Sequence, residues 1–180
     1  MSIVDLIEAR VTEGELIRLT PVLKGDPVKR LIYVTTDIYE YLDGAWGDEA
    51  DERRAGRLRG DLERFIKGEV VSLAFAMPYN HPKTTYLSRL DPVEDEIWEI
   101  RSIDPQPSIR VFGRFACPDL LVLTNFALRK NLGGPRSREF RDEMVRCATE
   151  WKRLFHTYPP YKGDTGHDYV REKVYIHDGN

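Results

Sequence analysis

Three apolar runs in the middle of the chain carry the clearest pattern. Residues Asp95 to Ser102, Ile109 to Phe115 and Leu120 to Phe126 are separated by short loops rich in Pro and Asp, and they read as consecutive strands of one antiparallel meander. Alternation assigns the faces. Ile97, Glu99 and Arg101 share one side of the first strand, opposite Trp98 and Ile100; Arg110, Phe112 and Arg114 share one side of the second, opposite Val111, Gly113 and Phe115. With Trp98, Ile100, Val111 and Phe115 turned inward, the other face displays Glu99, Arg101, Arg110 and Arg114. Such a face binds an anion, or else its charges pair across strands, Glu99 with Arg110, as on any half-buried sheet.

The flanking pattern predicts further elements. Ser2 caps a helix in which Ile3, Leu6 and Ile7 share a face, and Gly14 ends it. Glu15 to Leu23 is a strand interrupted by Pro21, and Lys24 to Pro27 is turn chemistry. Arg30 to Thr36, β-branched and aromatic, reads as a strand inside the sheet. A short helix over Ile38 to Leu42 follows, with Gly44 and Gly47 as breakers. An amphipathic helix then runs from Asp48 to Lys67, with Ala55, Leu58, Leu62, Phe65 and Ile66 on one stripe and Gly68 at its end. Its arginines are largely matched by neighbouring acids, the mark of a solvated face.

Glu69 to Met77 is a strand or a packed loop, and Pro78 to Lys83 is a rigid segment leading towards the meander. After the meander, Asn125 to Pro135 forms a basic connection containing Gly133 and Gly134. Pro135 opens a helix that runs to about Phe155, with Phe140, Met144, Cys147, Ala148, Trp151 and Leu154 on one stripe and a basic opposite face. The alternating Tyr169, Arg171, Lys173 and Tyr175 predict a final strand, or an arm laid along the domain or a partner.

Composition narrows the class. The 180 residues are 41% hydrophobic and 32% charged, as in a globular chain, and they suit one domain with additions: residues 1–29, a central 30–155 and a C-terminal arm 156–180. No apolar run approaches the ~20 residues of a membrane span, and Met1 to Asp5 lacks a signal peptide's pattern, so the expected location is cytoplasmic. Cys117, in a predicted turn, and Cys147, in a predicted helix, fit free thiols in a reducing compartment, and no His or Cys spacing suggests a metal. The net charge of −3 conceals an asymmetry. Residues 1–100 hold 13 Lys and Arg against 20 Asp and Glu, a net of −7, whereas residues 101–155 hold 11 against 6, a net of +5. A basic segment on an acidic body is expected where one surface meets phosphate.

The order of these elements, with Ile97-Trp98-Glu99-Ile100-Arg101, then Arg110-Val111-Phe112, a strand ending in Phe126, Arg129-Lys130, a proline and a closing helix, resembles the RelE/HigB superfamily of small bacterial toxins, closest to its phage-derived branch. The motifs match best over residues 96–155. The resemblance implies an α+β domain in which a small twisted antiparallel sheet carries helices, and it implies cleavage of messenger RNA on the ribosome with no metal and no cofactor. It further implies catalytic, phosphate-holding roles for Arg101, Arg110, Arg129 and Lys130. Arg114 is added by its shared face with Arg110 and not by the family motif, and with Arg136 and Arg138 it is assigned to RNA or phosphate binding. The implied partners are an antitoxin carried on another chain and the translating ribosome with its message; no membrane is involved, and homodimerisation is left open. The family's toxins are commonly shorter and basic, whereas the sequence pI here is near 5.9. No tyrosine or histidine follows the third strand to act as general base, which leaves Tyr79, His81 and His156 as substitutes. A non-catalytic interaction or nucleic-acid-binding module on the same scaffold is the alternative.

Overall fold

A computed structural model describes residues 1–44, 48–76 and 82–177. Helix α1 (Ile3–Thr12) starts where Ser2 and Asp5 satisfy each other's backbone N–H groups, Ser2 Oγ accepting from Asp5 at 3.2 Å and Asp5 from Ser2 at 2.8 Å. It stops before Gly14, whose φ of +77° suits glycine. Strand β1 (Leu16–Arg18) is shorter than the predicted run, ending ahead of Pro21, although Leu19 beyond it is still buried. Strand β2 (Leu31–Thr35) leads directly into α2 (Thr36–Asp43). Helix α3 (Glu49–Ile66), capped by Asp48, buries the predicted Ala55, Leu58, Leu62, Phe65 and Ile66. Each of the larger side chains contributes about 1.5–3 kcal/mol on burial.

Strands β3 (Val71–Ala74) and β4 (Leu87–Arg89) precede the meander of β5 (Trp98–Ser102), β6 (Ile109–Cys117) and β7 (Leu120–Leu128). Helix α4 (Arg138–Phe155) begins three residues after Pro135, because Ser137 is the residue able to cap it: its Oγ accepts from the Phe140 N–H at 3.1 Å. The C-terminal stretch forms a short α5 (Gly166–Tyr169) and then β8 (Val174–His177).

The described residues form an α+β fold with eight strands in one sheet, ordered β1-β2-β7-β6-β5-β4-β3-β8. This corrects the expectation of a small antiparallel sheet. The meander is antiparallel as expected, but β2 runs parallel to β7, and β3 runs parallel to both β4 and β8. The sheet is larger because the stretches on either side of the central region each add an edge, residues 1–29 supplying α1 and β1 and residues 156–180 supplying α5 and β8, while the parallel pairs β2–β7 and β3–β4 arise within residues 30–155.

The two faces of the sheet carry different layers. Trp98, Ile100, Val111 and Phe115 pack beneath α2 and α3, together with Tyr169 of α5. On the opposite face α1 and α4 cover Tyr33, Val122 and Ala116, and further along α4 seats Phe140, Met144 and Cys147 on Ile97 and Phe112. Cys147 is therefore core, whereas Cys117 ends β6, not a turn, and is half-buried. Register shifts in β7 opposite Phe112/Gly113 and in β6 between Phe115 and Cys117 bend this part of the sheet. Among the described residues no helix is long and apolar enough to cross a membrane.

Candidate functional site

Arg101 of β5 and Arg110 of β6 are directly cross-strand partners. Two guanidinium groups in such positions repel. Glu99, two residues back on β5 and so on the same face, resolves the conflict: its Oε1 accepts from Arg101 Nε at 2.7 Å, and its Oε2 lies 3.6 Å from Arg110 Nε. The carboxylate is almost wholly buried, at 2% exposure. The cross-strand pairing of Glu99 with Arg110 is thus realised, but inside an Arg-Glu-Arg cluster instead of on a solvated surface. Oε2 of Glu99 accepts no hydrogen bond among the described residues.

The cluster forms one wall of a cavity of about 600 Å³, within the range of small-molecule sites. Helix α4 creates this space by stopping short. Phe140, in its first turn, packs edge-on against Phe112 at 5.7 Å between centroids, and with Pro135 ahead of the helix it lines the cavity. Arg129 closes a second wall from the turn after β7, its Nη1 donating to the carbonyls of Leu132 at 2.6 Å and Gly133 at 3.0 Å. Arg89 enters from β4, held by the Phe75 carbonyl at 3.1 Å, by Glu96 at 3.3 Å and by the Phe75 ring at 3.9 Å. Lys83 and Ser88 complete the polar lining with Asp91, and Leu90 and Pro135 add apolar wall. Ser88 Oγ is buried and makes no hydrogen bond among the described residues.

The described lining therefore sets five cations, Lys83, Arg89, Arg101, Arg110 and Arg129, against two carboxylates, Asp91 and Glu99. Burial pushes the Arg110 guanidinium below the ordinary arginine value; Glu99 opposes this, and the charges of Arg101 and Arg129 add to it. Arginine nonetheless stays cationic at neutral pH, so the cavity presents fixed positive charge in a partly desolvated setting, where a phosphate gains most from it.

Of the residues selected from sequence, Arg101, Arg110 and Arg129 converge here. Lys130, next to Arg129, is exposed and is not part of the described lining, nor are the exposed Arg136 and Arg138, the latter paired with Asp142 at 3.7 Å. Arg114 shares the face of Arg110, as alternation requires, but α4 covers it: it is 9% exposed, with Trp151 at 6.0 Å, and its Nε makes no hydrogen bond among the described residues. Burial lowers its pKa, countered in part by charge on Cys147, Asp95 and Glu96. His156 caps the far end of α4 beside Arg10 and does not line the cavity. Tyr79 and His81 lie outside the described residues.

Sequence reasoning missed Lys83, Ser88, Arg89 and the placement of Glu99 as the cavity's buried carboxylate. The signal for Glu99 was present in Trp98-Glu99-Ile100-Arg101, since one strand residue separates the acid from the arginine and so sets both on one face. Among the described residues no group of three or more His, Cys, Asp or Glu is arranged to hold a metal ion. Comparison with protein-family models, curated proteins and solved structures finds no match to this chain.

Proposed function

We propose that the cavity binds an RNA phosphodiester and that the chain is a metal-independent endoribonuclease acting on messenger RNA at the ribosome, held in check by a separate antitoxin. One observation carries this reading: Arg101, Arg110 and Arg129, from three separate stretches, line one cavity together with the buried carboxylate of Glu99, whose Oε2 is ion-paired with Arg110 at 3.6 Å but accepts no hydrogen bond among the described residues. The order of β2, α2, α3, the β5-β6-β7 meander and α4, on which the RelE/HigB resemblance rests, supports it further.

The chemistry needs no cofactor. The arginines bind the non-bridging oxygens of the scissile phosphate in forked geometry and neutralise the charge that grows there as phosphorus becomes five-coordinate. Glu99 Oε2 takes the proton of the adjacent 2′-hydroxyl while that oxygen bonds to phosphorus. The P–O5′ bond then breaks, and the 5′ oxygen leaves with a proton from Lys83, the ammonium in the described lining. The products are a 2′,3′-cyclic phosphate and a 5′-hydroxyl. General base catalysis of this kind contributes about 10²–10⁴-fold.

The alternative is a phosphate-binding module without catalysis, favoured by the net charge of −7 on residues 1–100, which opposes approach to ribosomal RNA. Controlled induction in a bacterial host, with cleavage sites mapped on translated messages, separates the two. Growth arrest and cuts with the wild type but not with Arg110→Ala support the nuclease. Normal growth and intact messages with both proteins leave the binding module.

A further inference from the structure

Arg101 serves two cavities. The second, of about 330 Å³, lies at the ends of β3 and β4 beneath α3, and Arg57, Arg64, Tyr86 and Tyr175 help to line it. The two also meet along the chain, since Lys83 lines the first and Thr84 the second.

The second cavity is also lined by cations, Arg57 and Arg64 together with Arg101. Arg57, Asp61 and Arg64 lie at i, i+4 and i+7 on α3 and so face the same way. Asp61 does not repel an incoming anion freely, because its carboxylate is already engaged by Ser102 Oγ at 2.8 Å and by Arg57 Nε at 3.3 Å. Arg64 sits over the Tyr86 ring at 5.9 Å, and among the described residues it makes only long polar approaches, to Glu69 at 3.6 Å and the Val70 carbonyl at 3.5 Å. Each guanidinium carries five N–H donors, so both arginines keep donors for a ligand. Tyr175, on edge strand β8, is 63% exposed, its ring edge-on to His177 at 4.9 Å. An exposed tyrosine beside two arginines combines a stacking platform for an unpaired base with cations for the phosphates on either side.

Resting on the reading of the first cavity as a phosphodiester site, we infer that the second is a subsite for neighbouring nucleotides of single-stranded RNA, with phosphates on Arg57 and Arg64, a base on Tyr175, and Arg101 as the bridge. The chain then grips a strand several nucleotides long, and the edge added by β8 becomes part of its RNA-binding surface.

Binding of a ribonucleoside 3′-monophosphate and of a single-stranded oligoribonucleotide of about eight nucleotides, each across a salt series, tests this on the full chain. Wild type is compared with Tyr175→Ala, Tyr175→Phe, the double variant Arg57→Ala/Arg64→Ala, and Arg110→Ala. Tyr175→Ala is expected to weaken the oligomer about tenfold, and Tyr175→Phe, which keeps the ring, to restore it. The arginine double variant should weaken the oligomer and flatten its log–log salt slope by about 1.4, or about 0.7 for each phosphate no longer neutralised. Monophosphate binding, by contrast, should follow Arg110. Oligomer binding that falls with Arg110→Ala yet is unchanged in the Tyr175 and Arg57/Arg64 variants overturns the subsite and leaves the first cavity's assignment intact. A wild-type chain that binds neither ligand overturns both.

Discussion

Tyr169→Phe removes one oxygen and nothing else, and the structure makes that oxygen costly to lose. The ring is fully buried among Trp98, Phe115, Tyr161 and Phe75, with centroids 4.7–5.9 Å away, and phenylalanine preserves this packing. The hydroxyl donates to Glu96 Oε2 at 2.6 Å and accepts from the Gly163 N–H at 2.9 Å. Burial, and then the bond to Glu96, push its pKa well above the ordinary tyrosine value, so it remains a donor throughout the neutral range. Glu96 is itself 2% exposed and otherwise has Arg89 at 3.3 Å. A hydrogen bond to a charged, buried acceptor contributes about 1.5–3 kcal/mol. For a chain of this length that corresponds to a fall in Tm of roughly 5–10 °C. Urea unfolding should therefore show a lower midpoint with an unchanged m value, and a double-mutant cycle with Glu96→Gln should give a coupling of about 1 kcal/mol or more. A change within about 0.5 kcal/mol, or additive single effects, would refute the view that this bond ties the C-terminal stretch to the meander and, through Glu96, holds Arg89 at the cavity.

Three further outcomes are expected. Gly113→Ala places a Cβ 2.3 Å from the Val122 carbonyl oxygen and 2.8 Å from Leu123 Cδ2, so it should cost about 3 kcal/mol or more in chemical unfolding or fail to fold; a variant as stable as wild type would contradict the close β6-β7 approach. Burial pushes the Cys147 thiol up to about 11, with Thr124 and Arg114 opposing in part. The folded chain thus keeps a proton that the unfolded chain releases near pH ~8.5. The corresponding stability is full below that pH and is lost as the pH rises towards 11, by at most roughly 3 kcal/mol. Cys147→Ala should flatten the alkaline fall, and parallel curves for the two proteins would count against the assignment. Finally, Arg114→Met should leave RNA binding within about twofold of wild type, whereas Arg110→Met should weaken it about tenfold or more, both read from binding titrations.

The meander was legible because strand geometry is local. Side chains alternate wherever the backbone is extended, so Trp98, Ile100, Val111 and Phe115 had to share a face, and Glu99, Arg101, Arg110 and Arg114 the other. The cap at Ser2, the apolar stripe of α3 and that of α4 follow from the same kind of short-range rule, as does the meeting of Arg101 with Arg110 across one hairpin of the sheet. Tertiary structure decided the rest. The parallel pairings of β2 with β7 and of β3 with β8 join stretches about 90 and 100 residues apart, and nothing in the local pattern encodes the partner of a strand. Alternation also names a face without saying what covers it. Helix α4 buries Arg114 under Trp151 and Cys147, yet begins late enough, at its Ser137 cap, to leave Arg110, Arg101 and Glu99 open to a cavity. One sheet face thus holds both a buried arginine and a candidate phosphate site, and the length and position of the helix laid across it, not the spacing of the arginines, separate the two.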